Sequence, residues 1–123
     1  MLEINLQSPV PIYDQIKGGL RGLVSKGILK PGDKAPSVRA LAMELRVNPN
    51  TVARALRELT QEGFLEAARG EASCISPQAP RLARGGVAAA EKQFREAAEL
   101  ALNNGLTKQE LSAIIKELPI GDK

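Results

Sequence analysis

Histidine and tryptophan are absent from this 123-residue chain, and cysteine occurs once, at Cys74. Without histidine there is no Ser-His-Asp triad, no Cys-His pair and no zinc site within the chain. A single cysteine excludes an internal disulfide and a multi-cysteine metal site. Aromatic residues are limited to Tyr13, Phe64 and Phe94. Binders of RNA or of single strands stack bases on aromatic platforms, so that class is disfavoured. The opening MLEINLQSPVPIYDQ has no basic patch followed by an apolar run, so it is not read as a signal peptide. No stretch approaches the roughly 18 apolar residues of a membrane span. A soluble, cytoplasmic protein without a membrane partner is expected. Acidic residues are scattered singly, and no paired carboxylates sit on one helical face beside a candidate pocket. With histidine also missing, no route to catalysis is visible, and neither an enzyme nor a cofactor is expected. Cys74 is read as a small buried hydrophobe.

What is present suits one compact domain with a small appendage. Hydrophobic residues make up 43% of the chain and charged residues 25%, with a net charge of +3. That mild basicity favours a nucleic-acid partner only if the basic residues cluster.

Apolar residues at Ile12, Ile16, Leu20, Leu23 and Val24 share one helical face after Pro11, and Gly27 is placed to end that helix. Residues 1–11 read as an extended arm. Pro31-Gly32-Asp33 is a turn signal, with a short extended piece around it. Ser37 then stands as an N-cap before Val38, Leu41, Ala42 and Leu45. Arg46-Val47-Asn48-Pro49 interrupts this helix after about two turns. Asn48 suits an N-cap and Pro49 a first helical position. The next helix, Pro49 to about Glu62, carries Val52, Ala55, Leu56 and Leu59 on one face. Two short helices joined by a tight turn are the signature of a helix-turn-helix. Two strand candidates follow, residues 64–68 and 72–76, as a hairpin or "wing". The fold class is therefore mostly α with a small β-hairpin, a winged helix-turn-helix over residues 1–76. Residues 77–86, with two prolines and two glycines, read as a linker. Two further helices follow over residues 87–119. One has Val87, Phe94, Ala98 and Ala101 in a stripe. The other opens on a Thr107–Glu110 capping box and carries Leu111, Ile114, Ile115 and Leu118.

A reading helix presents polar and basic side chains from its first turns into the major groove of double-stranded DNA. Asn48, Asn50, Thr51 and Arg54 are of that kind here, since Asn pairs with adenine edges and Arg with guanine. Arg57 lies further along the same face. Arg39, in the first turn of the preceding helix, is suited to clamp a backbone phosphate. Arg69 and Gly70 mark the wing tip. The rival for Arg39 is a surface pair with Glu44 or Glu58, and for Arg54 and Arg57 a merely solvated face.

The run Pro11-Ile12-Tyr13-x-Gln15-Ile16, then Lys30-Pro31-Gly32-Asp33-Lys34-x-Pro36-Ser37-x-Arg39-x-Leu41-Ala42, resembles the GntR family of bacterial regulators. So does Leu45-x-Val47-Asn48-x-Asn50-Thr51-Val52-x-Arg54-Ala55-Leu56-x-Glu58-Leu59, followed by Glu62-Gly63. The short tail resembles the YtrA-type branch. The resemblance implies a homodimer, joined through the two-helix tail, that represses transcription from a palindromic operator, often of a nearby transport operon. It places DNA contacts on Arg39, Asn48, Pro49, Asn50, Thr51 and Gly70. Two departures stand out. Ala53 occupies a position often basic in the family. The wing, Gly70-Glu71-Ala72-Ser73-Cys74-Ile75, keeps only the first glycine of the family pattern, and Glu71 would repel phosphate. A small-molecule effector is compatible with this reading, although no residue cluster points to one. The alternative from another class is a winged-helix protein-interaction or adaptor module.

Overall fold

The structure is a computed structural model and describes residues 2–67 and 73–121. The described chain divides into two units, Met1–Arg84 and Gly85–Lys123.

In the first unit, helix α1 spans Ile12–Ser25, with Ile16, Leu20, Leu23 and Val24 on its buried face. Gly27 ends it at φ +75°. The Gly27 N–H donates to Val24 O at 3.0 Å and the Ile28 N–H to Leu23 O at 2.9 Å. A β-carbon would be strained at that φ, which is why glycine stands there. The N-terminal arm is tied to α1 by one side chain. Gln15 accepts from the Asn5 N–H at 2.6 Å and donates to the Asn5 and Val10 carbonyls. Leu2 is thereby buried against Gly19, where a Cβ would come within 2.5 Å of its Cδ2.

Helix α2 covers Val38–Leu45, and helix α3 covers Pro49–Gln61. Between them Arg46 adopts the left-handed conformation at φ 57°, and the Val47 N–H returns to Ala42 O at 3.1 Å. This reversal makes the connection only three residues long. Val52, Ala55 and Leu59 of α3 are fully buried against the α1 face. Burying a valine or leucine side chain in this way stabilises the fold by roughly 1.5–3 kcal/mol.

The wing strands are shorter than expected. β1 is Leu65–Glu66 and β2 is Cys74–Ile75, antiparallel, with Leu65 opposite Ile75 and Glu66 opposite Cys74. The extended piece around Pro31 lies on the other side of β2. Gly32 N–H donates to Ile75 O, Ile75 N–H to Asp33 O, and Ala35 N–H to Ser73 O, all at 2.8–2.9 Å. Cys74 is half-buried.

Residues 77–86 are not a linker from Ala79 onward. Helix α4 runs from Ala79 to Asn103, eight residues earlier than the expected start at Val87. Three local facts favour the helix. Pro80 falls in the first turn, where its missing N–H leaves nothing unpaired. Ala79 and Ala83, one turn apart, are buried on the core of the first unit. Ser76 is also buried, and its hydroxyl donates to Gly63 O at 2.5 Å, securing the chain just before the helix. Gly85 and Gly86 lower helix propensity by about 1 kcal/mol each without ending it. The boundary between the two units lies inside α4, at Arg84.

In the second unit, Gly105 (φ +111°) closes α4. Helix α5, Lys108–Glu117, opens on the expected capping box. Glu110 N–H donates to Thr107 Oγ1 at 3.1 Å, and Thr107 N–H to Glu110 Oε1 at 3.0 Å.

Candidate nucleic-acid interface

Both N-caps of the helix-turn-helix are where residue chemistry puts them. Ser37 Oγ accepts from the Ala40 N–H at 3.0 Å. Asn48 Oδ1 accepts from the Asn50 N–H at 2.7 Å. The Asn48 carbonyl takes the Thr51 N–H at 3.0 Å. Capping consumes the side-chain oxygen of Asn48 and leaves its amide hydrogens as donors. Pro49 sits at the first position of α3, and Pro49 and Asn50 are exposed, with Thr51 half-buried. The open end of a helix dipole here carries partial positive charge, as an anionic partner requires.

Arg39 is exposed in the first turn of α2. Its side chain makes no hydrogen bond or ion pair among the described residues, so it is paired with neither Glu44 nor Glu58. Val38, Arg39, Ala42, Met43, Val47 and Pro49 line a shallow depression of about 500 Å³. The fold thus brings Arg39 of α2 to the same surface as the first residue of α3. Arg57 is likewise exposed. Gly70, with Arg69, Glu71 and Ala72, lies outside the described residues.

Arg54 has a setting that sequence reasoning missed. Its Nε donates to Glu58 Oε2 at 3.0 Å, and its guanidinium carbon lies 3.6 Å above the centroid of the Tyr13 ring. The arginine is therefore not simply solvated. Half of its side-chain surface stays open. The pair with Glu58 at i+4 was legible as a spacing, whereas Tyr13 is 41 residues away and carried no local signal.

Behind Arg54 lies an ion-pair cluster between α1 and α3. Lys17, 8% exposed, donates from Nζ to Glu58 Oε1 at 2.9 Å and to Glu62 Oε2 at 2.5 Å. Arg21 reaches Glu62 Oε1 at 2.6 Å. Burial pulls the Lys17 ammonium down, but its hydrogen bonds to Glu62 and Glu58 outweigh that and hold it above its ordinary value. Hydrogen bonds from Lys17 and then Arg54 hold Glu58 below the usual carboxylate value. For Glu62, burial acts upward, yet Lys17 and Arg21 bring it below as well. The carboxylates of Glu58 in α3 and Glu62 at its C-cap are thus neutralised by cations of the same unit. Among the described residues no group of acidic or cysteine side chains is placed to hold a metal ion, and no helix is long and apolar enough to cross a membrane.

Comparisons with known proteins agree with this geometry. The family model of bacterial regulatory proteins of the gntR family matches residues 12–75. The HTH-type transcriptional repressor YtrA of Bacillus subtilis (strain 168) is 40% identical over 119 residues, covering 96% of this chain and 92% of that relative. The solved structure of YtrA from Sulfolobus acidocaldarius, a GntR-family transcription factor, is 35% identical. It superimposes with a TM-score of 0.60 over 83% of this chain and 97% of the other. AraR(DBD) in complex with operator ORX1 is 25% identical, with a TM-score of 0.55 over 61% of this chain and 96% of that one.

Proposed function

This chain belongs to the GntR family of bacterial regulatory proteins and is an HTH-type transcriptional regulator, and from that premise we propose that it is a homodimeric repressor of a palindromic DNA operator. Each protomer enters a major groove with the N-terminal turns of α3. Asn48, Pro49, Asn50 and Thr51 meet the bases and backbone there, Arg54 joins them from the next turn, and Arg39 of α2 takes a phosphate. The family resemblance adds Gly70 as a further proposed DNA contact. The observation that carries this reading is the exposed, Asn48-capped start of α3 sharing one surface with an Arg39 that has no partner among the described residues. The match to AraR(DBD) bound to an operator supports it.

The dimer is proposed from the second unit. Val87 and Phe94 of α4 and Ile114 and Ile115 of α5 are each 45–54% exposed. Apolar stripes of this kind in a monomer mark an association surface. A two-fold dimer requires two half-sites about one helical turn apart. The resemblance to YtrA-type regulators makes a transport operon the proposed target.

Sequencing of the DNA fragments that the protein retains from its own genome tests the reading. The expected result is one enriched palindrome, upstream of transport genes. Retention without any common motif would overturn it. Sedimentation equilibrium tests the dimer, with Phe94→Glu expected to give monomers of much weaker operator affinity.

A further inference from the structure

Resting on the reading that α3 lies on DNA, we propose that Tyr13 and Glu58 are positioning residues that hold the Arg54 guanidinium ready for a DNA phosphate. Neither touches DNA in this arrangement. Tyr13 supplies a face under the guanidinium at 3.6 Å, well inside the roughly 6 Å reach of a cation–π contact. Glu58 takes the Nε hydrogen at 3.0 Å. Two constraints, one on the plane and one on an edge, define the orientation of a flat group.

The edge constraint is itself anchored. Glu58 uses its other oxygen, Oε1, to accept from Lys17, whose side chain is 8% exposed and cannot follow solvent. Lys17 and Tyr13 are four residues apart on α1, so one face of α1 supplies both the aromatic plane and the anchor. What remains of Arg54 is its terminal amino groups. They make no hydrogen bond among the described residues, and half the side chain is open. An arginine ordered in advance loses less rotamer freedom when it meets a phosphate than one that floats. Lys17 and Arg54 also cancel the Glu58 charge, which otherwise would face the phosphate backbone.

The alternative is that the stack only clamps α1 to α3. Salt titrations of the full chain on a duplex carrying its enriched motif separate the two, using wild type, Tyr13→Leu, Tyr13→Phe, Arg54→Ala and the Tyr13→Leu/Arg54→Ala pair. Arg54→Ala is expected to lower the slope of log K against log salt by about 0.9 per protomer, because one phosphate contact is lost. Tyr13→Leu should keep the wild-type slope and weaken binding about two- to fivefold per protomer, the worth of an exposed cation–π contact. Tyr13→Phe, which keeps the ring, should bind as wild type does. In the Arg54→Ala chain the Tyr13→Leu change should cost nothing further. An unchanged slope in Arg54→Ala, or an equal cost of Tyr13→Leu in both backgrounds, overturns the inference while leaving the DNA reading intact. A wild-type chain that binds no duplex overturns both.

Discussion

Lys17 Nζ stands 2.9 Å from Glu58 Oε1 at the end of a lysine stem that is 8% exposed. The contact joins α1 to α3 across 41 residues of sequence, and the same ammonium reaches Glu62 one turn further on. Removing the cation leaves two carboxylates close together on one helix. Lys17→Met keeps the buried stem and deletes only the charge. It is expected to lower the melting temperature by about 5–10 °C, since each kcal/mol is worth about 4–8 °C in a domain of this size. Thermal denaturation followed by circular dichroism measures it. A variant as stable as wild type would mean that the cluster contributes nothing.

The same cluster sets the pH dependence of stability. Glu58 and Glu62 are held below their ordinary value of 4.5, so their contribution is present above that value and is lost as pH falls through the folded-state values. Lys17 is held above its ordinary 10.5, so its contribution is complete below 10.5 and is lost as pH rises through the folded-state value. The melting temperature should therefore be level between about pH 5.5 and 9.5 and fall on either side. Glu62→Gln should flatten the acid limb, which a series of melts in matched ionic strength will reveal.

Asn48 has two separable tasks. Its Oδ1 caps α3 at 2.7 Å, and the residue is exposed, so its amide hydrogens are available as donors. Asn48→Asp preserves the cap, because aspartate is as good an N-cap as asparagine, but places a negative charge at the DNA surface. Its melting temperature is expected to hold while operator affinity drops at least about fivefold, since a hydrogen-bond donor worth about 1 kcal/mol is replaced by an acceptor. Asn48→Ala should lose about 1 kcal/mol of stability in addition. Equal DNA binding by wild type and Asn48→Asp would remove Asn48 from the interface.

Arg39 is expected to act through a phosphate alone. Arg39→Ala should weaken binding to matched and mismatched duplexes by the same factor and reduce the salt slope by about 0.9 per protomer. Fluorescence anisotropy at several salt concentrations checks this. A change in base preference would instead put Arg39 in the groove.

Short-range chemistry made much of this fold legible. Ser37, Asn48 and Thr107 are caps because their side-chain oxygens reach a backbone N–H two or three residues on, whatever the rest of the chain does. Gly27 and Gly105 end helices because their positive φ disfavours any side chain, and no tertiary contact is involved, since a Cβ at either would meet nothing within 4 Å. The same locality explains why Arg39, Asn48, Asn50 and Thr51 could be nominated for DNA from their order, with Pro49 added by the family resemblance. Residues 79–86 show where locality fails. Proline and glycine there read as a linker, yet burial of Ala79 and Ala83 in the core outweighs the propensity cost. Arg54 is the other case. Its type and position mark a reading helix, but the stack on Tyr13 and the anchor from Lys17 through Glu58 arise only when α1 packs on α3. Sequence by itself determined the polar face and the helices with their ends, apart from the start of α4. Only the tertiary structure decided how that face is held, because the groups that hold it are separated by some forty residues and meet through the burial of a shared apolar core.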